Sequence, residues 1–262
     1  MSRTQFELYM ALSGNREQMV RIFSGWDWEE YPVNILFSYA YPQYIEWFFD
    51  EVKPFPRPAK LMLDSGAFTA STLGIELCVE EYIDYIHNSP IKWDEVIALD
   101  VIGDHVASYN NAVLMEDEGI RVVPTYHEGE PMEALHQLCH YWEKVALGGI
   151  VGSPKNNMVR FFKQCFKECW PHRFHSFGCC LKESLDLLPF VSADSSTWLS
   201  QIVRWAKFAC YKHRRISGLK GDTLYWASKA DALEAVRFQR EYTGRWAQVY
   251  RKVLDSPSEL ED

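Results

Sequence analysis

Lys60-Leu61-Met62-Leu63-Asp64-Ser65-Gly66 and, further on, Glu95-Val96-Ile97-Ala98-Leu99-Asp100 share one pattern, a short apolar run closed by an aspartate. Several apolar residues in succession, ended by turn-forming residues, describe a strand buried on both faces. The pattern recurs along the chain. Phe6 to Leu12 closes at Ser13-Gly14, and Val33 to Tyr39 follows. Arg121 to Thr125 leads to His127-Glu128-Gly129, Lys144 to Leu147 ends at Gly148-Gly149, Phe174 to Phe177 at Gly178, and Pro189 to Ser192 at Asp194. Helical periodicity fills most of the gaps, at Val79 to His87, Val106 to Glu118, Met132 to Glu143, Met158 to Cys169 and Leu181 to Leu187. Parallel strands need such crossovers, and eight repeats within about 200 residues predict a closed (β/α)8 barrel of the TIM type rather than an open sheet.

The division expected is a catalytic barrel over residues 1–202 and a helical, basic C-terminal segment over 203–262 that packs on it. From Val203 to Lys252 there are twelve basic and four acidic residues, a net of +8 in a chain whose total is −9. Within that tract Lys212, Arg214, Arg215 and Lys220 are the candidates for contacting phosphates; a solvated helical face is the alternative. The 47% hydrophobic content suits a globular chain of 262 residues, and no apolar stretch approaches the roughly 18 to 20 residues needed to cross a bilayer. The first residues contain no cleavable apolar segment, so membrane insertion and secretion are not expected and a cytoplasmic location is. Seven cysteines without framework spacing fit reduced thiols.

In such a barrel the chemistry sits at the C-terminal ends of the strands. Asp64, Asp100 and Asp194 each close a run and would face one central mouth, although each alone also reads as a helix N-cap. Carboxylates sharing a pocket raise one another's proton affinity, so one can handle a proton while another stays ionised as a nucleophile. Glycosyl chemistry is the common use of that arrangement. The paired Gly148 and Gly149 would let backbone approach a flat ligand, and Phe68 would stack on a planar base or pack in the core. His105, His127 and His175 lie near strand ends, where a substrate contact competes with a structural role. No Ser or Cys stands at triad spacing from them.

These residues resemble the guanine transglycosylases, the queuine and archaeosine tRNA-ribosyltransferase family that exchanges a guanine in a polynucleotide for a 7-deazaguanine. Asp64-Ser65-Gly66-Ala67-Phe68 resembles their Asp-Ser-Gly-Gly-(Phe/Tyr) signature, with Ala67 for the second glycine. Leu147-Gly148-Gly149-Ile150-Val151-Gly152 is similar to their Gly-Gly-Leu-Ala-Val-Gly loop, one residue shorter. Phe174-His175-Ser176-Phe177-Gly178 matches a later strand ending in glycine, and Ser192-Ala193-Asp194-Ser195 falls where the family carries its nucleophile. The resemblance implies that Asp194 attacks C1′ of the target nucleotide, that Asp64 is the general acid/base, and that Asp100 reads the Watson–Crick edge of the base. Phe68 would then stack on the base, with Ser65, His127, Gly148 and Gly149 also lining its site, and the nucleotide must be flipped out of its stack.

Members that act on tRNA carry a zinc site of Cys-x-Cys-x2-Cys with a distant His, a spacing missing here; Cys165-x3-Cys169-x2-His172 is the nearest cluster. Neither zinc nor another cofactor is expected. A short chain without the zinc motif and with a basic tail is similar to the phage-type members that place 7-deazaguanines in DNA. The expected partners are therefore DNA in preference to tRNA, a 7-deazaguanine base, and a protein that selects the site. Two rival functions remain open: an N-glycoside hydrolase that hands the sugar to water, and a non-catalytic nucleic-acid-binding barrel.

Overall fold

The computed structural model describes residues 6–12, 20, 22–52, 60–180, 182–196, 232–246 and 249. Among them nine strands form one all-parallel sheet: β1 Glu7–Ala11, β2 Asn34–Ser38, β3 Leu61–Asp64, β4 Glu95–Ile97, β5 Val122–Val123, β6 Thr125–His127, β7 Lys144–Gly148, β8 Arg173–Ser176 and β9 Ser192–Ser195. Their order is β5-β4-β3-β2-β1-β9-β8-β7-β6. The two ends of that order are consecutive in sequence, separated by Pro124 alone. Val123 O accepts from Ala98 N at 3.0 Å on the β4 side, and Pro124 O accepts from Ala146 N at 2.8 Å on the β7 side. Proline lacks an N–H and cannot keep an unbroken ladder on both sides. One strand bent at Pro124 thus closes the ring, and the nine segments make the eight positions of an α/β barrel of the TIM type.

Two apolar clusters follow from this closure. Tyr9, Ala11, Leu36, Met62, Ile97, Val123 and Ala146 fill the inside of the ring, whereas Leu8, Met10, Ile35, Leu61, Leu63, Val96, Val145 and Leu147 belong to the larger cluster outside it. Alternate residues of one strand therefore go to opposite cores, which is why the strands read as unbroken apolar runs. Beneath the inner cluster, at the strand starts, Lys60 pairs with Glu7 and Lys144 with Glu95.

The outer layer contains α1 Pro42–Glu51, α2 Ala67–Leu73, α3 Val79–Asn88, α4 His105–Asp117, α5 Met132–Tyr141, α6 Lys155–Cys169 and α7 Lys182–Leu187. Asp104 caps α4, accepting from Val106 N and Ala107 N. A last helix, α8 at 232–246, lies across β1 and β2: Gln239 Oε1 accepts from Leu8 N at 2.8 Å and Asn34 Nδ2 at 2.9 Å, and Trp246 Nε1 donates to Leu185 O. The expected boundary at 202/203 lies outside the described residues. One strand needs correcting: it is not Pro189 to Ser192 but begins at the last residue of that run and covers Ser192–Ser195. Its pairing with β1 sets Asp194 beside Tyr9, so this aspartate lies within the strand and not after it. The reason is that Ala193 alone supplies the apolar side of this short segment, and hydrogen bonding with β1 and β8 makes the strand.

Candidate active site

Asp64 ends β3, next to Ser38 at the end of β2. Gly66 follows at φ 77°, and a Cβ there would lie 2.7 Å from both Ala40 Cβ and Ala40 N, so only glycine fits the turn. Burial, then the neighbouring charge of Asp100, and to a smaller extent that of Asp194, raise the Asp64 carboxyl to about 7; the Gly66 N–H and the nearby Ser38 hydroxyl oppose the rise. That both aspartates act on Asp64 is the electrostatic sign that the three carboxylates share one mouth.

Asp100 is held from two sides. Ser65, wholly buried, donates its hydroxyl to Oδ1 at 3.1 Å, and His127 Nε2 lies 2.9 Å from Oδ2. The other ring nitrogen, Nδ1, is 2.9 Å from Glu130 Oε1. Burial alone would lower the His127 pKa, but the hydrogen bonds and charges of Asp100 and Glu130 outweigh it and lift the pKa to about 9. At neutral pH His127 is an imidazolium clamped between two carboxylates. Both its nitrogens are occupied, so it orients Asp100 and has none left to offer a base.

Asp194 is almost fully buried, and its Oδ1 receives two groups, Gly178 N–H at 2.6 Å and His175 Nε2 at 3.1 Å. Three elements thus converge on this carboxylate: β9 carries it, the turn after β8 donates the amide, and β8 presents the imidazole. His175 is fully buried, with Nδ1 2.8 Å from Ser192 Oγ. Lys144 lies behind it, donating to Ser192 Oγ at 3.4 Å as well as to Glu95. Burial would raise the Glu95 pKa, yet the Lys144 ammonium outweighs burial and holds it below the ordinary glutamate value.

The glycine pair has a packing reason of its own. A Cβ on Gly148 would meet Thr125 Cγ2 at 3.0 Å, and one on Gly149, at φ 75°, would meet Glu128 N at 2.9 Å and His127 Cβ at 3.0 Å. Gly148 O already accepts from Glu128 N at 3.1 Å. The glycines therefore make room for the His127 strand, and one face of the loop stays open to solvent at Gly149. Phe68, in the first turn of α2, is 58% exposed, which removes the core role weighed for it and leaves its ring free at the surface. Lys212, Arg214, Arg215 and Lys220 lie outside the described residues.

Sequence patterns assign Glu130, Ser192, Lys144 and Glu95 no role and leave His175 between a substrate contact and a structural role. The usable signal was parity: His175 stands two residues before Phe177, which packs on the inner cluster, and Ser192 stands two before Asp194. Among the described residues no group of three or more His, Cys, Asp or Glu is placed to hold a metal ion, and no helix is long and apolar enough to cross a membrane.

No protein-family model matches the chain, and no curated protein matches it. Solved structures do. The YdjI aldolase from Escherichia coli K12 superimposes with a TM-score of 0.53 at 9% identity, over 94% of each chain. A tryptophan synthase complex from Pyrococcus furiosus gives 0.52 at 14% identity, over 89% of this chain and 99% of that one. A protein from Aquifex aeolicus VF5 gives 0.54 at 12%, over 92% and 95%. At such identities the likeness establishes the fold, a TIM-type barrel, and leaves the chemistry to be argued from the site.

Proposed function

We propose that the protein is an enzyme, a pentosyltransferase that exchanges guanine in a polynucleotide, DNA in preference to tRNA, for a 7-deazaguanine. The observation that carries this reading is the differentiated carboxylate set at the barrel mouth. Asp64 is poised near neutrality to give and take a proton, while Asp194 has one oxygen held by two groups and, among the described residues, no hydrogen bond to the other, Oδ2. Asp194 Oδ2 attacks C1′; the C1′–N9 bond breaks, its electron pair leaves on guanine, and Asp64 supplies the proton. The incoming base returns its N9 proton to Asp64, attacks C1′ and releases Asp194. Asp100, oriented by Ser65 and His127, and the exposed Phe68 ring suit recognition of a planar base by edge and face. The four motifs that resemble those of the guanine transglycosylases suggest the identity of the base.

An aldolase reading, prompted by the similar barrels, has less support. Among the described residues the lysines at the barrel axis, Lys60 and Lys144, stand at the strand starts and are paired with glutamates, away from the mouth. The deciding experiment is incorporation of radiolabelled guanine, and of 7-cyano-7-deazaguanine, into duplex DNA and into tRNA by wild type and Asp194→Ala. Label in DNA that Asp194→Ala abolishes supports the proposal, and label in tRNA alone reverses the choice of polymer. Free guanine released without label uptake identifies a hydrolase. No label and no release refutes base exchange by this chain on its own.

A further inference from the structure

A line of buried polar groups runs along the barrel axis from its floor to Asp194, and nothing in the exchange chemistry itself requires it. Glu95 and Lys144 begin β4 and β7, Ser192 begins β9, and His175 lies in β8 between them and the mouth. Ser192 and His175 are fully buried and Lys144 is 8% exposed.

Counting protons along this line fixes their directions. An ammonium has three N–H bonds and accepts nothing. Two of those on Lys144 go to Glu95 Oε1 and Oε2, and the third points to Ser192 Oγ. The serine oxygen is thereby an acceptor on one side, and its single proton is available to the other side, where His175 Nδ1 stands at 2.8 Å. A hydroxyl that donates to Nδ1 requires that nitrogen to be bare. The ring proton is then on Nε2, which faces Asp194 Oδ1 at 3.1 Å. Moving the ring proton to Nδ1 would set a bare Nε2 against Asp194 Oδ1, two acceptors face to face in a dry interior, and adding a second ring proton would take away the acceptor that the Ser192 hydroxyl proton has on this line.

We propose that Glu95, Lys144 and Ser192 fix His175 as the neutral Nε2–H tautomer, and that His175 in turn locks Asp194 Oδ1 so that Oδ2 is the reacting oxygen. His175 is a positioning residue: it acts through Asp194, and Gly178 N–H completes the lock. The arrangement works as the orienting carboxylate does in a hydrolase triad, with the roles of imidazole and carboxylate exchanged. The part of this proposal that concerns catalysis rests on the transglycosylase reading; the tautomer does not.

The test begins with the resting protein. In a long-range proton–nitrogen correlation spectrum of the 15N-labelled full chain, with His175 assigned by its loss in His175→Gln, Nδ1 should be pyridine-like and Nε2 pyrrole-like. Ser192→Ala should move this histidine to a tautomer mixture. The opposite tautomer, an imidazolium with both nitrogens protonated, or a Ser192→Ala spectrum unchanged from wild type would each overturn the proposal. In the base-exchange assay Ser192→Ala should lower kcat about 100-fold with little change in KM, the usual scale for misplacing a reacting group. His175→Gln, whose amide can donate from nearly the same place, should keep more activity than His175→Leu, of similar bulk. Equal losses in the two would overturn the positioning role. If wild type exchanges no base in either polymer, the transglycosylase reading fails, and the spectra still decide the relay.

Discussion

Asp64→Asn separates the electrostatic account of the mouth from a merely steric one. In the folded chain the Asp64 carboxyl is raised from 3.8 to about 7. Unfolded it returns to the ordinary value, so between the two the folded protein binds more protons than the unfolded one. Asp64 therefore favours folding most at pH below about 4, and that contribution is lost as pH rises through about 7. Three units correspond to about 4 kcal/mol, and partial exposure at the mouth screens this to about 2–4 kcal/mol. Asparagine has the same shape, can accept from Gly66 N–H and carries no charge. The variant should match wild type in urea stability at pH 4, pull ahead as pH rises, and level off above pH 8 with an advantage of about 2–4 kcal/mol. For a chain of this size that is about 4–7 °C in Tm. The variant should also lose base exchange, since an amide cannot shuttle the proton. A stability difference that is independent of pH, or of opposite slope, would refute the shared-mouth electrostatics.

The remaining predictions use the same site. His127 sits at about 9 against 6.5 unfolded, so its contribution of about 3 kcal/mol is complete below pH 6.5 and is lost as pH rises through 9; His127→Gln should abolish that slope in paired urea titrations from pH 6 to 10. Gly66→Ala should destabilise by about 3 kcal/mol or more in chemical denaturation, because a Cβ at φ 77° would strike Ala40 backbone at 2.7 Å. Lys144→Met should cost about 3–5 kcal/mol by leaving Glu95 charged and unpaired, and Lys144→Met combined with Glu95→Leu should recover most of it in the same assay.

Much of the barrel is legible before any coordinates. A strand that buries one face inside the ring and the other under helices needs apolar residues in succession, so seven of the eight positions announce themselves, as do Asp64 and Asp100 at their ends. β9 is the exception. Ser192-Ala193-Asp194-Ser195 has one apolar residue, and its inward positions hold Ser192 and Asp194, where function has displaced the apolar code. Two helices also escape the periodicity: α1, whose buried Ile45, Trp47 and Phe48 crowd one short stretch, and α2, which spans barely two turns between Gly66 and Gly74, both in the left-handed conformation.

The partners of those aspartates were decided elsewhere. Ser65 reaches Asp100 across 35 residues, His127 reaches it across 27, His175 meets Asp194 across 19 and Lys144 meets Ser192 across 48. Local sequence records which side of a strand a residue faces, because alternation is a property of one strand. It does not record height along the barrel axis, which depends on the stagger between neighbouring strands and on where Pro124 bends the ring shut. Sequence alone therefore determined a TIM-type barrel with acidic strand ends, and closure of the barrel decided which histidine serves which carboxylate.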